Sequence, residues 1–163
     1  MKQVAQFYKV SKEQFLADFE GDHAEAVYEA VKLPKRATVG SAGYDFFAPV
    51  DITLAPGETA KIATGIRVRI DDGWVLKLYP RSGLGFKYRL QMNNTVGIID
   101  SDYYNSVNEG HIFAKITNDS NEGKTVTIKQ GEGFMQGIFV EYGITYDDEV
   151  TEKRNGGFGS TTK

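Results

Sequence analysis

A predominantly β domain, closed as a sandwich, barrel or jelly roll, is what this chain predicts, and three features carry that prediction. From Gly40 onward, short stretches rich in β-branched and aromatic residues follow one another at close spacing. Glycine and Pro-Gly punctuate them, as turns between short strands require. Apolar residues at helical intervals occur only near the N-terminus. At 163 residues the chain fits one domain that can bury a core without cross-links.

Taken in order, VAQFYKV (residues 4–10) alternates loosely and predicts a strand. In residues 11–31, Phe15, Phe19, Ala26, Val27, Ala30 and Val31 recur at helical intervals, predicting one or two short helices stopped by Pro34. Ser11 with Gln14, and Asp22 with Glu25, each have the spacing of a capping box. The role expected of this segment is packing against the domain or a partner. GYDFFAPVDITLAPGETAKIATGIRVRI then turns to β, and the second half of KIATGIRVRI alternates apolar and polar residues. WVLKLYP, HIFAKITN, TVTIKQ and FMQGIFVEY are further strands, each bounded by turn residues. DDEVTEK (147–153) is charged and reads as a solvated linker to a glycine-rich C-terminus, RNGGFGSTTK. Read alone, that last segment is a frayed tail.

Composition removes several classes of function. Without cysteine there is no disulfide framework and no thiolate zinc site. A formal charge of -3 provides no global basic field, so direct nucleic-acid binding is not expected and an anionic ligand needs a local site. MKQVAQFYKV lacks the apolar run of a signal peptide, and no later run is long enough to cross a membrane, so a soluble cytoplasmic protein is expected. His23 and His111 are far apart without matched partners, which speaks against a histidine metal site. Trp74 is read as core, and neither a Walker A lysine motif nor a GxSxG elbow is present.

Four stretches break the strand pattern. In SAGYDFFAP, Asp45 stands among aromatic residues near a strand start; alone it reads as a carboxylate satisfied by backbone or an arginine. In YPRSGLGFK, glycines 83 and 85 follow Arg81 and Ser82, so a turn there can aim backbone N–H groups at an anion, with the guanidinium adding charge; a plain hairpin turn is the alternative. MNNTVGIIDSDYYN resembles a tight hairpin able to read the edge of a planar base. Its apolar run leads into Asp100 at a strand end, with the flat ring of Tyr103 close behind. In GEGFMQGIFVEYG, Gln136 is polar inside an apolar strand, satisfied in the sheet or donating to a phosphate.

Together and in this order, these stretches resemble the motifs of the trimeric dUTP pyrophosphatases (dUTPases). The match runs from residue 33 to the C-terminus. AGYDFFAP resembles the first motif, PRSG the second, GIIDSDY the third, MQGIFV the fourth and GGFGST the fifth. The resemblance implies a jelly-roll-like (β-clip) domain over residues 1–153 with a helical insertion at about 11–31. It also implies a homotrimer with active sites at subunit interfaces. Residues 154–163 become a flexible arm that closes over nucleotide, Phe158 stacking on uracil, Ser160 and Thr161 reaching the terminal phosphates, and Gly159 with Gly156 and Gly157 letting the arm close tightly.

The implied reaction is hydrolysis of dUTP to dUMP and pyrophosphate, which keeps uracil out of DNA and supplies dUMP for thymidylate synthesis. Asp100 is then the general base for a water aimed at the α-phosphorus. Mg²⁺ rides on the triphosphate oxygens and Asp45 meets it only through water. Arg81, Ser82, Gly83 and Gln136 hold phosphates, with Arg154 or Lys153 assisting. The backbone of Asn94, Gly97, Ile98 and Ile99 pairs with the uracil edge, and Tyr103 beneath the deoxyribose leaves no room for a 2′-hydroxyl.

Three departures from the family pattern stand out. Tyr104-Asn105 replaces the usual Arg-Gly of the third motif, predicting a locally longer loop. Lys153 aligns with the fifth-motif arginine, leaving the role of Arg154 open. The helical segment is an addition to the family core. A dCTP deaminase and a nucleotide-gated regulatory module that contacts a protein partner are the rival readings. The first conflicts with GIIDSDY and the complete GGFGST, the second with an intact Asp100 and arm.

Overall fold

Phe7 anchors the N-terminal strand. It is the one buried residue of β1 (Ala5–Lys9). Its ring meets Tyr44, Phe46 and Phe139 at centroid distances of 5.3, 5.6 and 5.7 Å. The structure, a computed structural model, describes residues 1–154. β1 pairs antiparallel with β6 (Ile66–Ile70), Phe7 opposite Val68.

Two short helices follow, α1 (Lys12–Asp18) and α2 (Ala24–Ala30). Ser11 caps α1 as its spacing predicts, its Oγ accepting from the Gln14 N–H at 3.1 Å. The second predicted capping box does not form. The chain enters α2 through His23 in the left-handed region (φ 57°), which makes His23 the N-cap, and Glu25 turns to Lys12 instead. Phe15 buries completely, stacked on Phe19 at 5.2 Å and tilted against Tyr28 at 5.6 Å. The helical segment therefore shares the main core rather than sitting on the surface.

The remaining strands are β2 (Lys35–Arg36), β3 (Tyr44–Phe47), β4 (Ile52–Leu54), β5 (Thr59–Ala63), β7 (Trp74–Pro80), β8 (Leu90–Met92), β9 (Gly97–Ile99), β10 (Phe113–Asn118), β11 (Val126–Ile128) and β12 (Gly133–Glu141). They form antiparallel sheets ordered β2-β3-β12-β7-β9, β5-β10-β8 and β11-β4, beside β1-β6. This is the mostly β, jelly-roll-like architecture expected, with helices subordinate to the strands. Alternation of buried and open residues in β6 and β10 matches the period of a half-buried strand. Inward residues from all layers, Phe46, Leu76, Ile116, Val126 and Phe134 among them, meet in one core.

Two local expectations are corrected. NNTVG is a tight turn but not a hairpin, because the strands it joins belong to different sheets: β8 pairs with β10 and β9 with β7. The turn closes through Thr95 N–H to Met92 O at 2.9 Å, with Thr95 at φ 67°. The RSGLG stretch is not an open turn either. It begins a helix, α3 (Ser82–Tyr88), N-capped by Arg81 and ended by Arg89 in the left-handed region. Its two glycines concealed a helix that tertiary context imposes on a weak propensity.

Candidate active site

The sequence-predicted residues gather in two places. At the C-terminal end of β7, β3 and β12 run alongside and bring three of the motifs together. Asp45 on β3 faces Gln136 on β12, which in turn faces Tyr79 on β7. Arg81 follows β7 directly, and its Nε lies 3.1 Å from Asp45 Oδ1 in an ion pair. Asp45 thus has the arginine partner its sequence context allowed.

The Gln136 amide donates to Pro80 O at 3.2 Å, tying it to the strand that carries Arg81. Glycines make this packing possible. A Cβ on Gly133 would stand 2.9 Å from an Arg81 nitrogen, and one on Gly43 2.5 Å from Gln136 Oε1. Arg81, exposed, borders a concavity of about 390 Å³ together with Gly83, Leu84, Ile128, Glu132 and Gly133. Ser82 and Gly83 open α3, so their N–H groups precede the first intrahelical bond, Gly85 N–H to Arg81 O at 3.0 Å. Guanidinium, hydroxyl, free N–H groups and a side-chain amide make this end a donor-rich surface for a polyanion.

The second group lies along β9, the edge strand of the large sheet. Among the described residues one side of its backbone is unpaired in the sheet, which leaves N–H and C=O groups able to read a planar ring edge. Gly97 and Ile99 point inward while Ile98 and Asn94 are exposed. Asp100 emerges at the end of β9 as predicted, capping a 3₁₀ turn (Ser101–Asn105). Its side chain is half exposed. Tyr103 N–H returns to Asp100 O at 3.2 Å, coupling the two residues through backbone. The Tyr103 ring is buried, and its hydroxyl donates to His111 O at 2.6 Å while accepting from Asn108 Nδ2 at 2.9 Å. Burial pushes the phenol pKa above its ordinary value.

Arg154 sits with this second group, not with Arg81. It donates from a guanidinium nitrogen to Asp100 Oδ2 at 2.6 Å and from Nε to Asp102 Oδ1 at 2.9 Å, with its guanidinium 5.9 Å from the Tyr103 ring. Lys153 is exposed. Phe158, Gly159, Ser160 and Thr161 lie outside the described residues. Asp102 escaped sequence reasoning, although its place two residues after Asp100 in DSD was a usable signal. Among the described residues no group of three or more His, Cys, Asp or Glu is placed to hold a metal ion.

The two groups stand at opposite ends of β7. Ile99 pairs with Leu76, so Asp100 is level with the beginning of β7, whereas Arg81 follows its end. A strand rise of roughly 3.3 Å per residue separates their backbones by about 20 Å. Within one chain they cannot act on the same phosphate.

Comparison with known proteins is consistent along the chain. A family model described as dUTPase matches residues 29–162. The deoxyuridine 5′-triphosphate nucleotidohydrolase of Lactococcus lactis subsp. lactis is 44% identical over 134 residues, covering 80% of this chain and 88% of that protein. The crystal structure of dUTPase from Streptococcus mutans superposes with a TM-score of 0.65 at 33% identity, covering 85% of this chain and 97% of that one. The dUTPase of phage phi11 of S. aureus, described with a structural Mg(II) ion, shares the fold at a TM-score of 0.66 and 24% identity, covering 92% of this chain and 98% of that one.

Proposed function

Since this chain belongs to the dUTPase family and hydrolyses dUTP, we propose that it does so at sites shared between copies of the chain. In each site the phosphate-binding end of β7 from one copy faces Asp100 from another. The observation that carries this reading is the opposed placement of Arg81 and Asp100 along β7. The number of subunits comes from the family resemblance, a homotrimer with three such sites, each chain contributing both halves.

Arg81, Ser82, Gly83 and Gln136 take the phosphates of dUTP, and the edge of β9 from Asn94 to Ile99 pairs with uracil. Cytosine mismatches that edge at its amine, and a close-fitting turn excludes the thymine methyl. Tyr103 lies beneath the deoxyribose. Asp100 takes a proton from a water whose oxygen bonds to the α-phosphorus as the bond to the bridging oxygen breaks, releasing pyrophosphate and leaving dUMP. Such a base contributes ~10²–10⁴-fold, so positioning and charge neutralisation supply most of the acceleration.

Arg154, mostly buried, joins the half-exposed Asp100 and Asp102, so it holds the Asp100 carboxylate in place and must share it with the attacking water when nucleotide binds. Asp45 is a single carboxylate already engaged by Arg81, which suits contact through water with a Mg²⁺ ion held by the triphosphate. When bound, that ion would supply charge neutralisation. Phe158, Gly159, Ser160 and Thr161 close the arm over uracil and phosphates. The product dUMP feeds thymidylate synthesis, and removal of dUTP keeps uracil out of DNA.

The test is pyrophosphate release from dUTP, dTTP, dCTP and UTP with Mg²⁺, with Asp100→Asn as control. Turnover confined to dUTP and lost in the variant, with dUTP binding retained, is expected. Ammonia from dCTP, or full activity of Asp100→Asn, overturns the reading.

A further inference from the structure

The helical segment containing α1 begins before the residues that match the family, yet it is bonded to the loop behind Tyr103. Two attachments make the connection. The Glu109 carboxylate accepts from both the Ser11 N–H, at 2.9 Å, and the Ser11 hydroxyl, with Arg67 3.6 Å away. Asp18, the last residue of α1, accepts from His111 Nδ1 at 2.6 Å. His111 is fully buried and its Nε2 accepts from Gly65 N–H at 2.8 Å. One ring nitrogen that must accept leaves the other to donate, so Asp18 holds the Nδ1–H tautomer.

Between these attachments the loop closes on Tyr103. Glu109 and Gly110 both adopt left-handed backbone, at φ 59° and 69°. A Cβ at Gly110 would stand 2.6 Å from Tyr103 O. Asn108 uses both ends of its amide: Oδ1 accepts from Gly110 N–H at 3.2 Å, and Nδ2 donates to the Tyr103 hydroxyl. The other bond of that hydroxyl goes to the carbonyl of His111 itself. The 3₁₀ turn fixes the backbone of Tyr103 and the core packs its ring, while the hydroxyl end is held by groups that α1 keeps in place.

We propose that Asp18 and Asn108 are positioning residues for sugar selectivity, holding the Tyr103 ring against the pentose through His111 and the 106–111 loop. This rests on the reading of Tyr103 as the floor beneath the deoxyribose. A ring freed at its hydroxyl end tilts away and admits a 2′-hydroxyl. The N-terminal helical segment is thereby a brace for discrimination between deoxyribose and ribose, not only a share of the core.

The experiment compares kcat and KM for dUTP and UTP in Asp18→Ala, Asn108→Ala, Asp18→Asn, Tyr103→Phe and Tyr103→Ala, using the full chain at a temperature where melting shows each variant folded. Loss of one net hydrogen bond predicts that Asp18→Ala and Asn108→Ala lower the dUTP-over-UTP ratio of kcat/KM by about fivefold. The change is expected in the KM for UTP, with kcat for dUTP little altered. Asp18→Asn keeps an acceptor for Nδ1–H and restores the ratio, while Tyr103→Phe, which lacks the anchored hydroxyl, lowers it.

If Asp18→Ala does not fold, Asn108→Ala and Tyr103→Phe decide alone. An unchanged ratio in those variants, or an equal loss of kcat on both nucleotides, overturns the proposal when Tyr103→Ala still lowers the ratio. If Tyr103→Ala leaves the ratio unchanged, it is the placement of the sugar that fails.

Discussion

Mixing two inactive variants tests whether one chain can build a whole site. Arg81→Ala removes the guanidinium at the end of β7, and Asp100→Asn removes the carboxylate level with its beginning. The separation of about 20 Å along the strand puts these in different sites if sites are shared, and in no common site if a chain acts alone. Each variant by itself should lose ~10²-fold or more. When the two chains are unfolded together in equal amounts and refolded, every shared site draws its Arg81 half and its Asp100 half independently. About one quarter of the sites in such a mixed oligomer then carry both intact halves. Pyrophosphate release from dUTP should recover to about a quarter of that of the unmutated protein carried through the same refolding, far above either variant alone. The two variants refolded separately and then combined provide the baseline. A mixture that stays at that baseline, with size measurements showing that mixed oligomers formed, refutes the shared site.

Three further outcomes follow from individual residues. Phe15 is fully buried between Phe19, Tyr28 and His111, so Phe15→Ala should cost about 3–5 kcal/mol in urea unfolding, in line with large-to-small core substitutions; a cost below about 1 kcal/mol would show the helical segment to be detachable. Burial holds the His111 pKa below its ordinary value, against the opposing pull of Asp18 and Glu109, the charged groups that face it. The unfolded chain takes up a proton below about pH 6.5 that the folded ring refuses, so stability falls as pH drops through that value. Melting temperature should therefore decline more steeply between about pH 6.5 and 5 than in His111→Gln, and parallel profiles would dismiss the effect. Removing residues 155–163 should cripple dUTP turnover with the melting temperature unchanged, and undiminished activity would remove the arm from the mechanism.

Much of the fold was legible because its signals are local. Alternation in IRVRI and FAKITN, and turn residues between them, reflect a two-residue period that any sheet must obey. Ser11 capped its helix as its spacing required, since the bonded groups lie within one turn. Where local signals misled, a distant partner had decided. NNTVG has the composition of a hairpin, but β8 and β9 each find a better neighbour elsewhere. Glu25 met Lys12 across the helix pair, and RSGLG wound into a helix despite two glycines.

The same division holds for the site. Asp100 at a strand end, the Arg-Ser-Gly order and the polar Gln136 in an apolar strand were visible as residue types in sequence, and their order carried the family. Which of them meet was not. Asp45 and Arg81 are joined across β3, β12 and β7, and Asp18 and His111 across most of the chain. Such pairings depend on strand order and on burial that strips water from their polar groups. The sequence by itself determined the chemistry available, the strand periods and the family; only the tertiary structure set Arg81 and Asp100 at opposite ends of one strand and joined α1 to the loop behind Tyr103, because long-range register is fixed by the packing of the whole core.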